Sequence, residues 1–283
     1  MKNFLTIIIS FLLFQSGSTQ TLEQTYALAN AQFGTGQYDF AVNSFQRVLF
    51  FDSEKKYSDS YLFLADCFFK KNDFVKAAEY YDVAYNTIQN DSLKKEIVFR
   101  KTSCLLILQN YDQAKEELLK LPDSLSTSIK QKKFFYAGVC YFGTEEYDKS
   151  ENCFNSCIDT TDKHTQTQLK EQFVKVRKIH HLNPKVAKIL SVFLPGAGQF
   201  YSGDIKNGVN SLLLNSAFII LFVVTAQNYS LFDAVISVFP WFERYYLGGV
   251  QHAGEIALKK KKLKKQIIYQ RIIDISADQK KYD

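Results

Sequence analysis

An aromatic residue followed three positions later by a small one recurs four times in the first 160 residues: Tyr38 and Ala41, Phe74 and Ala77, Tyr111 and Ala114, Tyr147 and Ser150. The small residues lie 36, 37 and 36 positions apart. Four positions beyond each stands a large apolar residue (Phe45, Tyr81, Leu118, Phe154), and three further on Val48, Ala84, Leu121 and Cys157. Steps of three and four place these side chains on one stripe of a helix. A period in the thirties predicts stacked helix pairs, each pair burying against its neighbours an apolar face it cannot bury alone.

Chain breakers mark the turns: Gly34 and Gly36, Asn72-Asp73, Asn110, Gly143, and Pro122 after the third pair, where proline cannot continue a helix. The pattern predicts first helices over 22–34, 58–70, 94–108 and 129–143, and second helices over 38–51, 74–88, 111–121 and 147–159. A polar and basic stretch, 166–182, is expected to close the array, because end units need a polar outer face. Small residues also recur at one phase of the first helices (Ala29, Ala65, Thr102, Gly138).

Over 20–182 these units resemble tetratricopeptide repeats, which pair small residues where the two helices cross and place an aromatic three before the second small residue. The usual helix-ending proline is missing, the units are two or three residues long for the family, and Lys101-Thr102 departs from the pattern in the third. The resemblance implies an all-α, right-handed helical-hairpin solenoid of about four units that binds proteins. Its inner face would be lined by the first helices. By phase, three ladders lie there, of which Tyr26, Leu62, Phe99 and Phe135 form one apolar ladder, Phe33, Phe69, Leu106 and Phe142 another, and Asn30, Asp66, Ser103 and Val139 the third. Helices apolar nearly all round are covered by something. Either the closing helix or a second copy fills the groove, or it takes an apolar segment or helix of a partner protein.

The charge of +6 is unevenly spread. Residues 257–283 hold nine Lys or Arg against three Asp, so the remaining chain is neutral and carries no nucleic-acid footprint. Residues 1–19 begin with Lys2, continue through an apolar run over 4–14 and end in small residues, the pattern of a secretory signal peptide. Export would place the cysteines in an oxidising compartment. Cys67, Cys104 and Cys140, however, share the phase of Ala31, a small packed position. Stacked pairs are too far apart for these three to bridge.

After Asn183-Pro184 the composition turns apolar, and 183–256 is expected to be a membrane-associated helical hairpin. Residues 209–226 are uncharged and long enough to span a bilayer. The second arm, 231–250, is interrupted by Asp233, Glu243 and Arg244, and its aromatics suit a membrane interface. The run 194–203, LPGAGQFYSG, resembles a motif at the entry of two-helix bacterial membrane modules of the TM2 kind. Its glycines suit a tight turn and close helix approach; no phosphate-loop spacing is spelled. A basic tail, 257–283, follows, in which Lys259, Lys260, Lys261, Lys262, Lys264 and Lys265 would meet anionic lipid heads. An exported first domain and a cytoplasmic lysine cluster conflict unless only one segment spans fully.

No metalloprotease, esterase or zinc-site motif is spelled. No catalysis, cofactor or metal is therefore expected. The sequence points to a membrane-anchored scaffold that binds a protein or peptide at the cell envelope, with self-association left open. The alternative is a small transport, pore or lipid-handling hairpin framed by the repeats, motivated by Gln199, Asn210 and Asn215 among apolar residues.

Overall fold

A computed structural model describes residues 20–122, 124–158 and 162–277. The expected signal peptide, 1–19, lies outside the described residues. Fourteen helices and no strand occur among the described residues. The chain falls into two compact units, Met1–Cys153 and Phe154–Asp283.

Helix pairs stand at the expected places in the first unit, the last helix running on past Cys153. They are α1 (Leu22–Gly34) with α2 (Tyr38–Phe51), α3 (Ser60–Lys70) with α4 (Phe74–Thr87), α5 (Asp91–Ile107) with α6 (Tyr111–Leu118), and α7 (Thr127–Gly143) with α8 (Tyr147–Asn155). Helix α6 stops three residues short of the expectation. Its end tightens through short-range bonds from Leu119, Lys120 and Leu121, because the residue before Pro122 is barred from helical geometry.

Side-chain caps start several helices. Thr21 and Gln24 form a capping box on α1, Asp73 accepts from the Lys76 N–H on α4, and Asn90 from Leu93 on α5. Every first helix ends in the same turn. Gly36, Asn72, Gln109 and Glu145 have φ of 77°, 61°, 59° and 64°. Each donates its N–H to the carbonyl three residues back, and the next N–H reaches five back, a Schellman closure.

The predicted crossing residues are buried: Ala29 against Ala41, Ala65 against Ala77, Thr102 against Ala114, Gly138 against Ser150. The two polar ones are satisfied internally, with Thr102 donating to the Val98 carbonyl and Ser150 to that of Gly138. Lys101, the other departure, joins a part-buried cluster. It lies 2.6 Å from Asp82 and 2.9 Å from Glu117, and Lys120 bonds the same two carboxylates. Cys67, Cys104 and Cys140 are buried free thiols. Burial pushes the thiols of Cys67, Cys104 and Cys140 up to about 12, which leaves them inert packing groups.

The second unit is built on α9 (Lys163–His180), α10 (Pro184–Phe193), α11 (Ala197–Tyr201), α12 (Ile205–Asn228), α13 (Leu231–Ser237) and α14 (Phe239–Ala277). The expected second arm and basic tail are one element. Helix α14 runs unbroken through the lysines for 39 residues, roughly 58 Å at 1.5 Å per residue. Residue 257 is no boundary because the tail's apolar residues have somewhere to pack. Ile268, Ile272 and Ser276 are buried, and α9, the expected closing helix, lies along α14.

The glycines of 194–203 act as expected. Gly196 has φ of 94°, and a Cβ there would stand 2.3 Å from the Gly208 carbonyl oxygen. A Cβ on Gly198 would stand 1.9 Å from the carbonyl oxygen of Ala187. The turn therefore presses α11 against α10 and the start of α12. Helix α12 is long and apolar enough to cross a membrane.

Candidate interaction surface

The first helices of successive pairs lie side by side, tied by bonds spanning 33 to 36 residues of sequence. Tyr26 donates its hydroxyl to Asp59, Arg100 donates to Asp66, Lys132 to Glu96, and Ser103 shares a hydrogen bond with Tyr136. Tyr81 also donates to Asp66, and Arg100 reaches Glu96 at 3.4 Å. A chain of polar contacts thus runs across the face expected to be greasy. Burial, with the Asp59 hydrogen bond second, raises the Tyr26 hydroxyl to about 12. Burial alone would lower Arg100, but Asp66 outweighs it and the guanidinium stays above its ordinary value. Both groups therefore stay protonated donors at neutral pH.

The eight ladder residues separate into two sets. Leu62, Phe99 and Phe142 are buried, a correction to the expectation that they offer surface to a partner. Phe99 is covered by Tyr136 and by Lys132, whose ammonium sits 4.5 Å from the ring centre. Phe142 packs edge-on against Tyr147. Neighbouring rings lie against both phenylalanines, which a reading by helical phase alone does not anticipate.

Tyr26, Phe33, Phe69, Leu106 and Phe135 are half-buried and keep part of their surface. Phe33 meets Tyr38 and Phe63 edge-on, and Phe69 meets Phe74. Where α5 and α7 begin, a cavity of about 440 Å³ opens, lined by Leu93, Glu96, Phe99, Ile129 and Lys132 among others.

Asp66 and Ser103 stand on the expected third ladder, whereas Asp59, Glu96 and Lys132 were not assigned to this face, although the signal was present. Glu23, Asp59, Glu96 and Lys132 share one phase, one turn ahead of Tyr26, Leu62, Phe99 and Phe135. Charged residues recurring one helical turn from an apolar ladder sit beside it.

The six lysines of α14 also divide. Lys260 donates to the Gly203 carbonyl and Lys261 to that of His180, so both hold the chain's own turns. Lys259, Lys262 and Lys264 are exposed. No protein-family model matches the chain, and no curated protein matches it.

Proposed function

We propose that the chain is a membrane-associated interaction module. Its first unit, read as tetratricopeptide-type repeats, would hold a partner protein's amphipathic helix or strand against the face of the first helices. The observation that carries this is the row of half-buried rings, Tyr26, Phe33, Phe69 and Phe135 with Leu106, interleaved with Asp59, Glu96, Arg100 and Lys132. Such a face offers apolar area for anchors and charged groups for register. The occupant it suits has one apolar side and flanking charges, not an apolar segment throughout. Helix α12 would tether the module to the membrane, with the first unit on the exported side.

The test places a photo-crosslinking phenylalanine analogue at Phe69 of the full chain in cells. One discrete adduct, lost at least tenfold with Phe135→Glu while the far-UV helix signal stays unchanged, is the expected result. An adduct unaffected by Phe135→Glu would remove this face from the proposal.

A further inference from the structure

The second unit contains a cavity of about 300 Å³ between the first half of α12 and residues 244–252 of α14. Polar side chains, Asn207, Asn210, Ser211 and Asn215 from α12 and Arg244 and His252 from α14, meet there beside the apolar surface of Leu214 and Tyr245. The outside of the same helix is apolar, with Leu213 and Ile220 each 64 % exposed. Polar groups turned inward from an apolar exterior are costly in a membrane setting and are kept where they meet something. Room is made by glycine. Gly248 and Gly249 line the cavity, and a Cβ at Gly248 would meet nothing within 4 Å.

Part of the lining is committed to the fold. Gln199 is fully buried, accepting from Ser191 and donating to the Gly249 carbonyl. Asn207 donates to Asp204. Other groups are unspent. Asn215 is 2 % exposed and donates to the Ser211 carbonyl, but its Oδ1 accepts no hydrogen bond. The amide cannot profitably be reversed, since its oxygen would then face the Ser211 carbonyl. Arg244 has no ion-pair partner among the described residues, and no carboxylate lines the cavity. A ligand matched to these groups carries an anion for Arg244 and a hydroxyl donor for Asn215. A quaternary ammonium headgroup has no such donor, and its cation offsets the phosphate charge that Arg244 would meet. Apolar surface on Leu214 and the exposed face of α12 continues from the cavity, which suits an acyl chain attached to the same ligand. Two turns beyond His252, the exposed lysines of α14 favour the same class of lipid.

We propose that this cavity is a headgroup site for an anionic phospholipid whose phosphate meets Arg244 and whose headgroup hydroxyl meets Asn215. The full chain would be loaded into nanodiscs of phosphatidylglycerol and phosphatidylcholine in equal parts, and the lipid retained after release into mild detergent read by native mass spectrometry. Phosphatidylglycerol should be retained at least tenfold over phosphatidylcholine. Arg244→Gln should cut the retention of phosphatidylglycerol at least tenfold, whereas Lys262→Gln on the exposed lysine face should change it less than twofold. Arg244 is exposed, so the helix signal and melting temperature of Arg244→Gln should match the parent. Equal retention of both lipids, or equal losses from the two variants, would overturn the site. Competition by glycerol 3-phosphate at the lipid's own affinity would reassign it to a soluble phosphate. A dimer crosslinked through the cavity lining would reassign it to a second copy of the chain.

Discussion

The two units solve the packing of helices in opposite ways. In the first, apolar side chains fill the interior (Phe45, Leu64, Tyr81, Ile97) and charge lies towards the outside. In the membrane-like stretch of the second, most buried residues are small or polar (Ala187, Ser191, Gln199, Ser202, Asn215), while Phe193, Ile220, Leu231 and Trp241 lie exposed. Water rewards the first arrangement through burial of apolar area. It gives the second nothing, since the apolar groups stay outside. Surroundings of hydrocarbon reverse the preference. There, helices associate through close backbone contact and hydrogen bonds between side chains, and contiguous exposed apolar surface marks where such surroundings belong.

The contrast can be broken at its glycines. In the second unit a methyl group on Gly198 would overlap the backbone of Ala187, which cannot swing aside. Gly198→Ala should cost more than about 4 kcal/mol, the range of severe overpacking and backbone strain. Limited proteolysis in detergent should show cleavage between α10 and α12. Gly34→Ala in the first unit meets nothing within 4 Å and should leave the melting temperature within roughly 2 °C, a change of about 0.5 kcal/mol or less. Similar outcomes for the two would mean that close approach does not hold the second unit together.

A smaller effect should come from the charges that the first unit partly buries. Lys101→Met leaves Glu117 with only Lys120 and should destabilise by about 2 kcal/mol, less than for a fully unpaired charge. Adding Glu117→Leu should restore most of the loss, because both charges then leave together. Acid sensitivity supplies a second readout. Burial pushes the Asp82 carboxyl up, but Lys101 and Lys120 outweigh it and hold it below the ordinary value. A carboxyl lowered by folding adds stability above its unfolded pKa and loses it as pH falls through the folded one. Lys101→Met should therefore flatten the decline in stability on the acid side of pH 4. An unchanged acid limb would show that the cluster is solvent-screened.

Much of the first unit was legible because its local and tertiary signals coincide. The stripe that predicts each second helix is also what buries Ala41, Ala77 and Ala114. The open groove was not, because phase says which way a side chain leaves its helix and not what the next helix lays over it. Phe99 vanishes under Tyr136 and Lys132. In the second unit the span over 209–226 and the glycine turn could be read from composition. The merging of arm and tail into α14 could not. Lysines read as solvated charge, and nothing local shows that Ile268 and Ile272 will find α9. The polar cavity was visible only as Gln199, Asn210 and Asn215 out of place among apolar neighbours. Arg244, arriving from a helix 29 residues beyond Asn215, had no pattern to join.

The smallest effect tests whether the recurrent turn of the first unit is a local preference or is imposed by packing. All four turns need a left-handed residue, and two, Gly36 and Asn72, suit that geometry. Gln109 does not, and holding an ordinary side chain there costs roughly 1–2 kcal/mol. Gln109→Gly removes that strain but adds freedom to the unfolded chain, an opposing cost of roughly 0.5–1 kcal/mol. A net gain of about 0.5 kcal/mol should follow, seen as a higher denaturant midpoint with unchanged slope. Asn72→Gly, starting from a residue that tolerates the turn, should gain nothing or lose slightly. If both substitutions shift the midpoint equally, strain at Gln109 is not what separates them. The third pair would then be held in register by the packing of α5 on α6 alone.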